Sequence, residues 1–226
     1  MPLISCVMPT ADRPLYAAAA IRSFLEQTFP SKELIVLDNG HSRLIETLPP
    51  ALRNDAQIKF HRTSPKPIGM LRNEVCALAG GDVIAHWDDD DWSHHRRIDE
   101  QYDLLAASGA DIVGYETMVF FDVSADRFAL YRGMPGTAVG TSMMFRRETW
   151  ERRRYPSVQL GEDNTFAAGR HVCTSSGHRP VRMIARQHSR NTSGPRSLMF
   201  SGLSNFRELL NERENNALRR LLKVPL

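Results

Sequence analysis

The 226-residue sequence predicts an α/β protein with a mostly parallel central sheet, helices on both faces and a small antiparallel addition. Three observations carry that expectation. Short β-branched runs alternate with helical patterns through the first half, which is how βαβ units read in sequence. Apolar residues make up 42% of the chain and charged residues 24%, a balance that builds a core without staples. No stretch approaches the ~18 continuous apolar residues of a membrane span, and no basic region precedes the first apolar residues.

The elements follow in order. Leu3–Met8 reads as a first strand, and Pro14–Gln27 as a helix with Pro14 in the first turn, where its missing N–H costs nothing. Lys32–Asp38 and Gln57–His61 read as the next two strands. Ile68–Ala79 is a helix ending at Gly80-Gly81, Asp82–Trp87 a fourth strand, and His94–Ser108 a helix that Gly109 stops. From Gly114 the register changes: Tyr115–Asp122 and Arg127–Arg132 read as longer strands joined by a short turn, and Ser142–Phe145 as another, so antiparallel additions are expected. Glu162–Ala168 reads as a short helix, while Thr174–Arg179 and Asn191–Pro195 have loop composition. In the tail Leu203, Phe206, Leu210, Ala217 and Leu221 share one helical face. With no linker, repeat or low-complexity tract, one continuous domain over 1–226 is expected, divided as 1–113, 114–200 and a C-terminal helix over 201–226.

Cys6, Cys76 and Cys173 form no C-x-x-C pair and cannot all be bridged, which points to a reducing, cytoplasmic compartment and excludes a zinc ribbon. Residues 1–113 carry 11 basic and 16 acidic side chains, whereas 114–226 carry 18 and 10. Much of the acid is concentrated in Asp88, Asp89, Asp90 and Asp91, which follow an apolar strand and are flanked by Trp87 and Trp92. In open parallel sheets ligands bind beyond the carboxyl ends of the strands, where strand order reverses. If the strands order themselves 3-2-1-4, Pro9–Arg13, Asp38–Gly40 and the aspartates line one crevice.

Adjacent carboxylates repel, by about 3 kcal/mol for a pair about 5 Å apart at an effective dielectric near 20. A solvated acidic turn is the plain reading of a charge run. Its place at the end of an apolar strand favours instead a hard divalent cation, Mn²⁺ or Mg²⁺, as counter-charge. An EF-hand fails because Ser93 stands where its glycine is needed. P-loop, dinucleotide-binding, zincin and nucleophile-elbow motifs are absent. A metal held by few carboxylates completes its shell with phosphate oxygens. Gly69 and Arg72, opening the helix before the aspartates, could meet such a phosphate, or Arg72 could be a surface residue and Asn73 a local cap.

Taken in order, Ser5–Thr10 with Arg13, Glu33–Gly40, Gly69-x-x-Arg72-Asn73, Gly81–Asp91 with Arg97–Gln101, Gly140–Arg147, Gly161-Glu162-Asp163 and Gln187-His188-x-x-Asn191-Thr192-Ser193 resemble family 2 glycosyltransferases over about 190 residues. The resemblance implies a GT-A fold of Rossmann-like type and a metal-dependent, inverting transfer of one sugar from a nucleotide-sugar, a UDP-sugar above all, to an acceptor hydroxyl. It implies a nucleotide-sugar-binding half over 1–113 and an acceptor and base half over 114–200. Pro9, Thr10, Arg13, Asp38, Gly69, Arg72, Asp88 and Asp89 would meet the donor nucleotide. Asp90 and His188 would meet the metal, Asp163 would be the catalytic base, and Glu162 and Trp92 would lie on the acceptor side. The acceptor would be a saccharide or lipid-linked. The Q-x-x-R-W element of processive synthases is missing, since Asn191 follows Arg190.

His86 lies inside the fourth strand, where the family usually has an apolar residue, and reads as a buried, hydrogen-bonded core residue. His94 and His95 read as exposed helix residues, His41 and His61 as loop residues. Two other readings stand beside the transferase. One is a sugar-phosphate nucleotidyltransferase on a similar sheet, though the glycine-rich loop it needs after the first strand is replaced by Pro9–Arg13. The other is a non-catalytic protein binding RNA or an anionic surface through Arg146, Arg147, Arg152, Arg153 and Arg154, interleaved with Trp150 and Tyr155. In the transferase reading no nucleic acid is expected, and the same arginines would suit peripheral contact with an anionic inner membrane surface.

Overall fold

A computed structural model describes residues 1–191 and 222. Its sheet contains β1 (Ile4–Thr10), β2 (Lys32–Asp38), β3 (Ile58–Arg62), β4 (Val83–His86), β5 (Trp92–Ser93), β6 (Ile112–Asp122), β7 (Arg127–Arg132), β8 (Met144–Arg146), β9 (Val172–Ser176) and β10 (Met183–Gln187). The strand order is β3-β2-β1-β4-β8-β6-β10-β5, with β7 and β9 also paired to β6. The first four strands are parallel and in the expected 3-2-1-4 order. β8 then enters antiparallel between β4 and β6, so the strand direction reverses beside the carboxyl end of β4.

The helices are α1 (Pro14–Leu25), α2 (Leu44–Thr47), α3 (Pro50–Arg53), α4 (Ile68–Leu78), α5 (Arg97–Ser108), α6 (Arg147–Arg152) and α7 (Glu162–Ala167). The parallel strands are buried on both faces, and their side chains alternate between two clusters with the strand period of two. Ile4, Cys6 and Met8 of β1 and Leu34 and Val36 of β2 pack with Ala17, Ile21 and Phe24 of α1 and Ile98 and Leu105 of α5. Val7, Ile35 and Leu37 point the other way, onto Leu71, Val75 and Cys76 of α4 with Trp150, Tyr155 and Phe166. Each fully buried residue of this size contributes about 1.5–3 kcal/mol, so the pattern commits the strands to a face, because a one-residue slip would exchange the two clusters. Gly109 ends α5 at φ +64°, a conformation that suits glycine.

Most strands and helices lie within a few residues of their expected bounds, and the expected turn between two long strands is the β6–β7 hairpin. Three differences matter. The loop expected at Thr174–Arg179 begins inside β9, a polar strand running parallel to β6. The strand β10 and the short β5 that pairs with it carry no strong strand pattern; Ile184 and Met183 are held by pairing with Trp92 and Ser93. The C-terminal helix over 201–226 and the loop after Asn191 lie outside the described residues apart from Leu222, which is buried with Val119, Phe121 and Ile184.

The basic run divides between arginines bonded within the protein and exposed ones. Arg146 caps the carbonyls of Leu105 and Ala110 at the end of α5, and Arg147 caps those of Cys76, Ala79 and Gly81 at the end of α4. Arg152 pairs with Asp111, Arg153 donates to the Phe166 and Ala168 carbonyls, and Arg154 lies over the Trp150 ring. Helix ends leave carbonyls without intrahelical partners, and these guanidinium groups satisfy them. Arg146, Arg147 and Arg153 are thereby committed to carbonyls, whereas Arg152 and Arg154 remain exposed. No helix among the described residues is long and apolar enough to cross a membrane.

Candidate active site

At the carboxyl end of β4 the chain turns through Asp88–Asp91 into β5, and each carboxylate finds a different partner. Asp88 faces Arg72, whose Nη2 is 3.4 Å away. Asp89 accepts from Thr10 Oγ1 at 2.6 Å and from Arg13, through Nη2 at 2.6 Å and Nε at 3.1 Å. Asp90 Oδ2 receives Arg13 Nη1 at 2.8 Å, Asn191 Nδ2 at 3.0 Å and His188 Nε2 at 3.1 Å. Asp91 is bonded by Thr141 Oγ1 at 2.5 Å and the Arg186 backbone N–H at 3.2 Å. Repulsion within the quartet is therefore offset by two arginines and a shell of hydrogen-bond donors, where the sequence suggested a metal ion as the natural counter-charge.

The carboxyls also divide by protonation. Burial pushes Asp89 up to about 7, with Arg13 pulling against it and Asp90 adding to the rise. Asp91 is raised well above the ordinary range, by burial first and then by Asp90 and Asp88. Asp88 is lowered: burial opposes its charge, but Arg72, with Thr141 and Arg13 adding to it, outweighs burial. Holding protons on some members of a crowded set lowers the charge repulsion among the rest.

Across the cleft, Gly161 at φ +75° opens α7, whose first two residues are Glu162 and Asp163. Glu162 is buried and accepts from Arg72 Nε at 3.0 Å. Burial raises the Glu162 carboxyl, against the pull of Arg72. Asp163 Oδ1 accepts from the Asn164 N–H at 2.8 Å, while Oδ2 lies against Gly140 so closely that a Cβ there would sit 1.7 Å from it. A cleft of about 270 Å³ is lined on one side by Pro9, Arg13, Arg72 and Asp88–Asp91, and on the other by Glu162 and Asp163. Arg72 thus joins the acidic turn to the helix that carries Asp163.

Five of the expected site residues do not line this cleft. The Asp38 carboxylate is taken up by the Gly40 and Leu44 N–H groups, each at 2.9 Å, and by Arg62 Nη1 at 3.1 Å, so it ties the loop after β2. The Thr10 hydroxyl is spent on Asp89. The Gly69 N–H donates to the Val158 carbonyl, and a Cβ at Gly69 would meet the Pro156 carbonyl oxygen at 1.8 Å, so this helix start is packed against protein. Trp92 packs against the cluster of Val119, Phe121 and Ile184. His188 stacks on Tyr16 with ring centroids 4.4 Å apart. Asn73 is neither surface cap nor ligand: its side chain binds both backbone groups of Tyr155 and Trp150 Nε1.

Among the described residues no group of three or more His, Cys, Asp or Glu side chains is arranged to hold a metal ion. His188 does not fit as a ligand in this arrangement. Its Nδ1 accepts the Arg190 backbone N–H at 3.1 Å, so Nε2 must carry the ring proton and donate to Asp90. A ligating histidine has the opposite arrangement, with its second nitrogen donating. Asp88 and Asp90, hard oxygen donors that line the cleft, do fit a divalent cation that takes most of its shell from elsewhere. Sequence reasoning missed Arg186, whose Nη1 donates to the Asp90 carbonyl at 2.7 Å, and Tyr16 beneath His188. Their partners lie far away in sequence, and no local pattern marks them.

The profile described as "Glycosyl transferase family 2" matches residues 5–176. A Haemophilus influenzae protein named "Uncharacterized glycosyltransferase" is 28% identical over 133 residues, 58% of this chain and 52% of that protein. Among solved structures, S. aureus TarS 1-349 in complex with UDP-GlcNAc matches with a TM-score of 0.66 at 16% identity, over 85% of this chain and 61% of that one. The mannosyltransferase PcManGT from Pyrobaculum calidifontis, in complex with GDP-Man and Mn2+, matches with a TM-score of 0.60 at 15% identity, over 88% and 59%. At such identities the likeness is one of fold. The chain spans about half the length of the Haemophilus relative and about three fifths of the two solved chains.

Proposed function

The chain belongs to glycosyl transferase family 2, and from that premise we propose that it transfers a single sugar, with inversion, from a nucleoside diphosphate sugar to an acceptor hydroxyl, with Asp163 as the base. The observation that carries this reading is the shared cleft: Asp163 faces the acidic turn at Asp88–Asp91 across one opening, although 72 residues separate Asp91 from Asp163.

In an inverting displacement the acceptor attacks from the face opposite the leaving diphosphate, so a single base is needed on that face. Asp163 suits that role because its carboxylate is fixed by the Asn164 N–H and Gly140 and borders the cleft. Glu162 is less suited to the role, since its Oε1 is committed to Arg72. On the donor side Arg13 and Arg72 supply fixed positive charge to the diphosphate, and Pro9 borders the nucleoside. Asp90, with Asp88 beside it, would hold a Mn²⁺ or Mg²⁺ ion that takes diphosphate oxygens into its shell. When bound, that ion stabilises negative charge on the departing diphosphate. His188 and Asn191 orient the Asp90 carboxylate. The acceptor is a saccharide or a lipid-linked saccharide. The three free thiols fit a reducing, cytoplasmic compartment.

UDP, UDP-GlcNAc and GDP-Man are bound by the solved neighbours, so these are the first probes, with UDP-sugars as the leading donor class. In thermal-shift titrations with and without Mn²⁺, Asp90→Ala should lose the Mn²⁺-dependent stabilisation by UDP. Asp163→Asn should keep it and lose donor turnover. Equal loss of nucleotide binding in both variants would remove the proposed division of roles.

A further inference from the structure

His86 is fully buried at the end of β4, two residues before Asp88, and is bonded at both ring nitrogens. Nδ1 lies 2.7 Å from the Gly140 carbonyl oxygen, and Nε2 lies 2.8 Å from the Tyr155 hydroxyl. A carbonyl only accepts, so Nδ1 carries the proton, and the neutral ring then accepts the Tyr155 O–H at Nε2. The ring is fully buried, and the cost of charging it away from water favours this neutral form.

Both partners of His86 touch the helix that carries Asp163. Gly140 is the backbone surface against which Asp163 Oδ2 rests. Tyr155 stacks on Phe166 of α7, with centroids 4.1 Å apart and planes inclined by 18°. The backbone of Tyr155 is in turn fixed by the side chain of Asn73 at both its N–H and its carbonyl. One imidazole therefore ties the strand that delivers the acidic turn to the backbone on which Asp163 rests and to the ring stacked on Phe166 of the same helix.

We propose that His86 is a positioning residue that holds Asp163 in register with the acidic turn, through the Gly140 carbonyl on one side and the Tyr155 ring on the other. The role rests on Asp163 being the base. His86 does not touch the cleft and acts on the reaction only through these two neighbours. Catalytic geometry is sensitive to such support, because a misplacement of about 1 Å can cost about 100-fold in rate.

The test uses hydrolysis of UDP-GlcNAc or GDP-mannose with Mn²⁺, whichever the wild type turns over faster. His86→Leu should lower kcat by roughly 10- to 100-fold with the donor KM unchanged within about two-fold, since donor contacts lie elsewhere. His86→Asn, whose amide nitrogen reaches the Nδ1 position, should recover most of kcat by restoring the bond to Gly140. The double variant His86→Leu/Tyr155→Phe removes both polar groups together and should recover Tm without recovering kcat, because the Gly140 bond is still missing. If kcat simply follows Tm across these variants, or if KM moves in place of kcat, the proposal is overturned. Asp163→Asn, run in parallel, separates the two claims. Wild-type hydrolysis by Asp163→Asn sinks the base assignment itself, whereas an inactive Asp163→Asn beside a fully active His86→Leu sinks only the positioning role.

Discussion

Arg72 Nε donates to Glu162 Oε1 at 3.0 Å, joining two buried side chains 90 residues apart in sequence. The same guanidinium faces Asp88 at 3.4 Å, so one cation neutralises both walls of the cleft. Burial alone would depress its charge, but Asp88 and Glu162 outweigh burial and hold it protonated.

Removing that cation should be costly. Arg72→Leu strands Glu162 and Asp88 without their counter-charge, and breaking a buried pair by deleting one partner costs about 3–5 kcal/mol. Arg72→Lys should recover only part of this, because an ammonium cannot address two carboxylates in the fixed fork of a guanidinium. Urea unfolding should rank the chains as wild type, then Lys, then Leu. A Lys variant as stable as wild type would show that the fork is not used.

Two glycine substitutions should have opposite profiles. Gly140→Ala places a Cβ 1.7 Å from Asp163 Oδ2 and 2.8 Å from Asp163 Cβ, so the carboxylate must swing away and the start of α7 must give by a few tenths of an ångström. Donor turnover should fall by about 100-fold, with a smaller loss of Tm than in Gly69→Ala. Gly69→Ala puts its Cβ 1.8 Å from the Pro156 carbonyl oxygen, which is backbone. That clash has no cheap escape, and overpacking of this kind costs about 1–3 kcal/mol. Paired Tm and rate measurements on the two variants check both halves of the expectation.

The Asp89 carboxyl should contribute less stability as pH rises towards neutrality. Burial raises Asp89 to about 7, whereas an aspartate in the unfolded chain titrates near ~3.9. Between those values the folded chain holds a proton that the unfolded chain has released, so the free energy of unfolding declines with increasing pH. Asp91 and Glu162 are shifted the same way, each by burial first. Asp88 is shifted down by Arg72 against burial, so its contribution is present above ~3.9 and lost as pH falls through its folded value. Burial depresses the His86 and His94 rings, which pulls the other way below ~6.5, so the difference between chains isolates the carboxyl. The urea midpoint of wild type minus that of Asp89→Asn should decrease from about pH 5 to about pH 8. A difference between the two chains that grows over that range would contradict the assignment.

The arginine run should prove structural. Arg153 and Arg147 are bonded to carbonyls at chain turns, so Arg153→Ala and Arg147→Ala should lower Tm. Neither should change a mobility shift with RNA at physiological salt, where a site made of free phosphate contacts would show strong salt dependence. A salt-sensitive RNA complex lost in Arg153→Ala would restore the surface-binding reading.

Much of the fold was legible because its signals are local. Lys32–Asp38 and Arg127–Arg132 lie where their β-branched and aromatic residues put them, and Gly109 stops α5 where a left-handed residue is needed. β9 and β10 were not legible, because Val172–Ser176 and Met183–Gln187 become strands by pairing with β6 and β5, not through their own pattern. In the site, the acidic turn was visible as four consecutive carboxylates after an apolar strand, and Asp163 as part of an ordered set of motifs. Asp38, Thr10 and Gly69 belong to the same motifs, yet their polar groups are used within the protein, which only the hydrogen-bond partners reveal.

Residue order alone established the alternation of strands and helices and the concentration of acid at the end of the fourth strand, since periodicity and turn chemistry act over a few residues. The 3-2-1-4 order was a supposition that strand pairing decided. Folding in three dimensions decided which charges meet. Arg72 reaches across 90 residues to Glu162, His188 across 98 to Asp90, and His86 across 69 to Tyr155. Such pairs follow from how helices pack on the two faces of the sheet, and electrostatic and hydrogen-bond energies depend on separations of a few ångströms that no spacing along the chain encodes.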